Sequence, residues 1–452
     1  MSVTILRGGW LVTPQGAFPG DLAIENAKIA RIAPKIEANS DDSVIDVTGC
    51  VVFPGFMDAH THLDMVSGGI HTADNFRSGT LAALIGGTTT IIDFATQVRG
   101  GSLRDALAAW HRLADGNCSC DYGFHMAITD WNDEVRQELS VMIDAGITGF
   151  KAYMTYEQLM LPEAALLELL ASLKPLGGIL GVHCEDHAIL CKNRQLVLDR
   201  GITGPAGHPL SRPPEAEAAA IARLCDIAQK IDVPIHVVHL SSRLGLDEIR
   251  RARQQGQQVY AETCPQYLLL DESCYALPEG ANFVMSPPLR SREDVSALRQ
   301  AVISGEIDTV STDHCSFYLR DKQKGRNFTE IPNGIPGVEH RVSLMLSSFR
   351  DQLSYGQLAR LMSENTARLF HIYPRKGVLQ VGSDADITVW DPYPNRTIQA
   401  KDQHQRADYT PYEGMEITGQ VRHVFLGGTH AVRDGKLIHP LAGRFIKENF
   451  RK

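Results

Sequence analysis

The chain alternates between two textures of apolar and polar residues. Over residues 1–55, short runs of alternating character are separated by Gly8-Gly9, Pro14, Gly16 and Pro19-Gly20. Val3–Leu6, Leu22–Ile24 and Lys28–Ile32 have the two-residue period of strands, with turn residues between them. From about residue 52 to 370, compact apolar runs alternate with helix-length amphipathic stretches. Thr88–Phe94, Tyr122–Ile128, Gly149–Met154, Ile179–His183, Pro234–Leu240 and Gln258–Glu262 predict strands. Leu103–Leu113, Glu134–Ala145, Glu163–Leu173, Glu215–Ile231 and Leu246–Gln254 predict helices. Repeated β-then-α units of this length point to an α/β protein built on a (β/α)8 TIM barrel. An open doubly wound sheet would want a G-x-G-x-x-G turn after its first strand, and the chain has none there. After Pro374 strand texture returns in Asp386–Trp390, Val421–Leu426 and His430–Arg433. The two ends therefore resemble each other and differ from the middle. The economical organisation is one discontinuous β-domain from residues 1–52 and 374–440, with the barrel, 53–373, inserted between them. Residues 441–452 form a C-terminal tail, in which Arg444–Lys452 are polar and basic and read as a surface tail.

Composition narrows the function classes. The 452 residues carry 44 Lys+Arg against 53 Asp+Glu, a formal net charge of −9. This mild acid excess argues against nucleic acid or an anionic membrane as partner. Hydrophobic residues make up 43% and charged residues 21%, which is globular material able to bury a large core. No run approaches the ~20 apolar residues of a membrane helix. The opening MSVTILRGGWLVTP lacks the basic-then-apolar layout of a secretory signal. Nine cysteines, scattered without metal-knuckle spacing, read as reduced thiols of a cytoplasmic protein.

The strongest local chemistry is Asp58-Ala59-His60-Thr61-His62, directly after an apolar run. Residues i and i+2 of a strand share a face, so His60 and His62 present two imidazoles together. Neutral imidazoles at that spacing suit a borderline-soft divalent ion such as Zn²⁺. An isolated H-x-H is as easily a surface pair, but three more groups end predicted strands: His183, His239 and Asp313. In a barrel the strands' C-terminal ends form one rim, where active sites sit. Four histidines and one carboxylate there are what a two-metal hydrolase needs, with two ions ~3.5–4 Å apart activating a water. Five ligands are too few for two four-coordinate ions, and a bridging anion is missing. Lys151, at another predicted strand end, cannot ligate as an ammonium. Desolvated beside cations it becomes a neutral amine that can take up CO2 as a carbamate, an anion able to bridge both metals.

The chain resembles the dihydropyrimidinase and hydantoinase branch, phenylhydantoinases included, of the cyclic amidohydrolases. The resemblance rests on PGFMDAHTHLDM (54–65), GGTTTIIDF (86–94), FKAYMTY (150–156), VHCED (182–186), VHLSS (238–242), SPPLR (286–290), STDHC (311–315), IPNGIPGVEHR (331–341) and GSDADITVWDP (382–392). It implies a barrel with a composite β-sandwich and a binuclear zinc centre, other divalent metals being possible. His60, His62, Lys151 as N6-carboxylysine, His183, His239 and Asp313 would be the ligands. It also implies that Tyr156 hydrogen-bonds the substrate carbonyl and its oxyanion, and that the backbones of Ser286 and Asn333 hold the cyclic amide edge. Asp313 would carry the proton from the attacking water to the leaving nitrogen.

The implied reaction opens the ring of a 5-substituted hydantoin or a dihydropyrimidine to an N-carbamoyl amino acid. An allantoinase-type hydrolase is the alternative within the class, and a non-catalytic scaffold the alternative outside it. Asp64 stands where dihydroorotases carry an arginine, the wrong sign for holding a carboxylate. Leu63, Met65, Val66, Tyr153 and Met160 are candidate walls for the 5-substituent. The resemblance further implies a homotetramer or homodimer, with a small cyclic amide as the remaining partner.

Overall fold

The computed structural model describes residues 3–448. Eight parallel strands form the central sheet, labelled here in chain order: β1 Phe56–Thr61, β2 Thr88–Thr96, β3 Asp121–Ala127, β4 Gly149–Tyr153, β5 Ile179–His183, β6 Ile235–Val237, β7 Val259–Thr263 and β8 Thr309–Val310. Each pairs with the next, and a parallel bridge between Thr61 and His314 brings the last strand's loop back to the first. β3 is buried at every position, as a parallel strand covered on both faces must be. The helices between them bury one face. Arg243–Gln254 puts Leu246, Ile249 and Ala252 inward, and Ser242 accepts from the Gly245 amide to start it.

The predicted barrel and its composite β-sandwich are both present. A nine-stranded mixed sheet joins the two chain ends: Ile387–Thr397 and Thr4–Thr13 flank Val51–Pro54 as its neighbours. Leu6, Leu22, Val52, Ile387 and Phe425 fill its own apolar core. Expected strands Gly149–Met154, Ile179–His183 and Thr88–Phe94 match β4, β5 and β2 closely. The expected strand Pro234–Leu240 is only Ile235–Val237, because its last residues turn to enter the site. Helices Phe76–Ile85, His187–Asp199 and Arg292–Ser304 lie outside the predicted set. Phe76–Ile85 is buried nearly all round, so it carries no helical period to read. All nine cysteines are free thiols. Among the described residues no helix is long and apolar enough to cross a membrane.

Of the expected surface tail, residues 441–448 depart from that reading, and 449–452 lie outside the described residues. Residues 441–448 run along the N-terminal end of the barrel: Gly443 N–H donates to Cys118 O at 3.0 Å and Ile446 N–H to Tyr122 O at 2.7 Å. Ile446 joins Met57 and Ile92 in an apolar cluster that closes this end. The charges of Arg444 and Lys447 hide that apolar pair, Phe445 and Ile446, from a compositional reading. Glu448 is buried and accepts from the Thr148 amide and hydroxyl, both at 2.6 Å.

Sheet and barrel are also tied by one buried cation. Lys376 pairs with Asp121, the first residue of β3, at 2.7 Å and with Asp386, one residue before the sheet strand Ile387–Thr397. Removing the cation would leave two carboxylates buried and unpaired. Lys376→Met should therefore cost about 3–5 kcal/mol, read as a lower urea midpoint. Burial pushes the Glu448 carboxyl up to about 8 from its ordinary 4.5. The folded state then holds a proton that the unfolded chain releases. The stability contributed is full below about 4.5 and is lost as pH rises to about 8. Glu448→Gln should flatten that part of a stability-against-pH curve.

Candidate active site

Five strands deliver six polar groups to one rim. β1 carries His60 within it and His62 one residue past its end; Lys151 is in β4 and His183 ends β5. His239 and Asp313 lie just beyond β6 and β8 in left-handed backbone, φ 41° and 53°, as does Tyr156 at φ 70°. Non-glycine residues in that region cost about 1–3 kcal/mol each and are held there by their surroundings. Asp58 supplies part of the hold: it accepts from the Thr312 hydroxyl at 2.7 Å and amide at 3.1 Å. The first residue of D-x-H-x-H thereby locks the turn that carries Asp313 against the two histidines.

The groups meet through their coordinating atoms. Asp313 Oδ1 lies 3.3 Å from His60 Nε2 and 3.1 Å from His62 Nε2. These three residues form a cluster able to hold a cation. His183 Nδ1 faces His239 Nε2 at 3.0 Å, and the His60 and His239 ring centroids are 5.3 Å apart. Burial, then the Lys151 charge, drives His60 and His239 well below the usual histidine range. Neutral rings leave one nitrogen of each with a lone pair.

Buried carboxylates decide which nitrogen that is. His60 Nδ1 bonds Glu262 Oε1 at 2.6 Å, and His183 Nε2 bonds Glu185 Oε2 at 2.8 Å. A ring N–H directed at a carboxylate leaves the opposite nitrogen bare, so His60 Nε2 and His183 Nδ1 point their lone pairs into the site. His60 Nε2 is buried and has no hydrogen-bond partner. Ser311 donates to the far oxygen of Glu262 at 2.8 Å. Against the burial that would raise it, Arg212 and His183 hold Glu185 down at about 2. Asp313 is likewise held below its ordinary value against burial, by His60, His62 and Lys151.

Lys151 is 1% exposed, between the rings of Phe94 and Tyr153, its Nζ 5.1 and 5.4 Å from their centroids. Among the described residues no carboxylate lies within ion-pair distance of it. Burial pushes its pKa down to about 8, which makes the neutral amine accessible near physiological pH. The donor chemistry fits a pair of divalent ions: bare imidazole nitrogens, one ionised carboxylate, and an amine ready for modification.

One cavity of about 950 Å³ is lined by His60, His62, Lys151, Tyr156, His183, His239, Ser286, Asp313 and Asn333, every sequence-predicted site residue. Burial raises the Tyr156 pKa, so its phenol keeps the proton and donates, with Arg212 stacked 5.4 Å from its ring. Gly334 has φ 149°, and a Cβ there would sit 2.4 Å from Cys315 O, so only glycine lets the Asn333 loop approach. Of the candidate walls, Met65, Val66 and Tyr153 line the cavity. Leu63 instead turns into the core at 1% exposure, packed on Gly79, and Met160 is not part of the lining. Asp64 lines the cavity but accepts from the Phe76 amide at 2.8 Å, steadying a helix start. Sequence reasoning misses Glu185, Arg212 and Glu262. A carboxylate ending a predicted strand was signal enough for Glu262, while Arg212 carries none.

The comparisons with known proteins converge. The amidohydrolase family model matches residues 51–431. The D-hydantoinase of Geobacillus stearothermophilus is 40% identical, covering 98% of this chain and 96% of that protein. A D-phenylhydantoinase of Escherichia coli O81 is 38% identical, covering 98% and 97%. The crystal structure of dihydropyrimidinase from Brevibacillus agri NCHU1002 superposes with a TM-score of 0.96 at 40% identity, covering 99% and 98% of the two chains. The chain is a cyclic amidohydrolase and belongs to the hydantoinase and dihydropyrimidinase branch of the amidohydrolase family.

Proposed function

We propose that the protein is a two-metal hydrolase that opens the ring of 5-substituted hydantoins or dihydropyrimidines to N-carbamoyl amino acids. The observation that carries this reading is the convergence of bare histidine nitrogens, Asp313 and Lys151 on the floor of one cavity. His60, His62 and Asp313 would hold one zinc ion and His183 with His239 the other. Lys151 would join the ligand set as a carbamate, once its neutral amine has added CO2 and released a proton. The carbamate so formed is the anion that two dications need. When bound, the metals supply Lewis acidity for the ring carbonyl and a water activated at neutral pH.

The chain's own residues do the rest. Backbone groups of Ser286 and Asn333 hold the amide edge of the ring. The Tyr156 phenol donates to the oxygen that becomes negative during attack. Asp313, kept ionised, accepts the proton of the attacking water and delivers it to the leaving ring nitrogen. Met65, Val66 and Tyr153 form the apolar wall for the 5-substituent. A homotetramer or homodimer in the cytoplasm belongs to the same reading, and light scattering of the purified protein reads the assembly.

Elemental analysis of the purified protein should give two metals per chain. Rates on dihydrouracil, phenylhydantoin and allantoin should show turnover of at least one of the first two and little of the third. A metal-free protein without such turnover would sink the reading. Lys151→Ala should lose both metals and activity together; near-native content and rate in that variant would refute the carbamate ligand. Tyr156→Phe should keep its metals and lose about 10²–10³-fold in kcat, the usual cost of one oxyanion donor.

A further inference from the structure

Two loops reach the substrate cavity beside the metal-binding rim, one carrying Ser286 and the other Asn333. They come from separate stretches of chain, so something must set the gap between them. Backbone contact supplies one link, Gly334 N–H to Val284 O at 3.0 Å. The larger link is a side chain that belongs to neither loop. Lys322 is 1% exposed at the end of the short helix Leu319–Lys322. Its Nζ donates to Val284 O at 2.6 Å and to Pro332 O at 2.7 Å. Val284 lies two residues before Ser286, and Pro332 directly precedes Asn333. Lys322 also lies over the Phe317 ring, 5.7 Å from its centroid.

The environment is unusual for a lysine. Among the described residues no carboxylate pairs with it, so the buried group answers only to two carbonyl dipoles and an aromatic face. Burying an amine this way is costly, and an apolar side chain would fill the space at lower cost. Burial pushes its pKa down to about 7. Both protonation states keep at least two N–H donors, so the pair of bonds survives the titration. His208 fixes the same loop from the other side by bonding Met285 O at 2.7 Å.

We infer that Lys322 is a positioning residue: a clamp that sets the separation of the Ser286 and Asn333 backbones and so the width of the slot for the ring's amide edge. The inference rests on the ring-opening reading above. It says that affinity for the cyclic amide depends on a residue that does not line the substrate cavity.

The test compares wild type with Lys322→Met, which keeps the stem and removes the donors. Metal content and thermal midpoint are measured alongside KM and kcat, on the ring substrate that wild type turns over best. The variant should keep its metals, and KM should rise about tenfold, the scale of one lost charge-assisted bond, with kcat within about threefold. An analogue methylated on the ring amide nitrogen, used as a competitive inhibitor, should bind wild type and variant alike, because it never used the slot. A folded, metal-loaded variant with wild-type KM overturns the clamp. So does an equal loss for parent ring and methylated analogue, which would mean a general loosening. Should Lys322→Met fail to fold, Lys322→Gln, reaching one carbonyl, should fold with an intermediate KM; wild-type KM there, or no folding, also overturns it. If wild type itself opens no cyclic amide, the functional reading has failed, a result distinct from an unchanged KM in an active variant.

Discussion

Parallel strands that close on themselves must end on the same rim, and every feature of the site follows from that constraint. Five of the eight strands carry a candidate metal ligand near or just past their C-terminal ends, and closure brings those groups within a few ångströms. Polar groups buried together must be neutral, paired or bound to an ion. Burial keeps His60, His183 and His239 neutral. Glu262 and Glu185 behind them take the ring N–H groups and turn the lone pairs inward. The rim is therefore organised from behind as much as from within, and the left-handed backbone at His239 and Asp313 is the strain stored in doing so.

The opposite end of the barrel carries stability. There Lys376 bridges β3 to the composite sheet, and the chain's last described residues lie across the strand starts. The two roles are separated by the length of the strands. Asp58 connects them at the seam, since its bonds to Thr312 help close the barrel and also place Asp313.

How legible the protein is depends on how local each signal is. His183 ends a strand whose apolar run has the same bounds in sequence and structure. His239 and Asp313 are identifiable as candidates, but their strands stop early because the chain leaves the sheet to aim them. Glu262 shows itself as a carboxylate ending a predicted strand, but its bond to His60, 202 residues away, is a pairing no local pattern reports. Lys322 reads as one of several charges in Arg320–Lys324, and only the fold shows it buried on two carbonyls. Leu63, beside the histidine motif, is the converse case: near the site in sequence and turned away from it in space. Residues 441–448 hide an apolar pair among charges.

By itself the sequence determined the fold class, the shared β-domain of the two chain ends and the residue types available for chemistry. Those follow from periodicity and from local groups at strand ends, which depend on near neighbours along the chain. The tertiary structure alone decided which nitrogen of each histidine faces inward and how far Lys151 is desolvated. It also decided which apolar residues line the cavity and that Lys322 is buried on the Val284 and Pro332 carbonyls beside the Ser286 and Asn333 loops. Those are consequences of burial and of contacts between segments hundreds of residues apart, and they exist only once the barrel has closed.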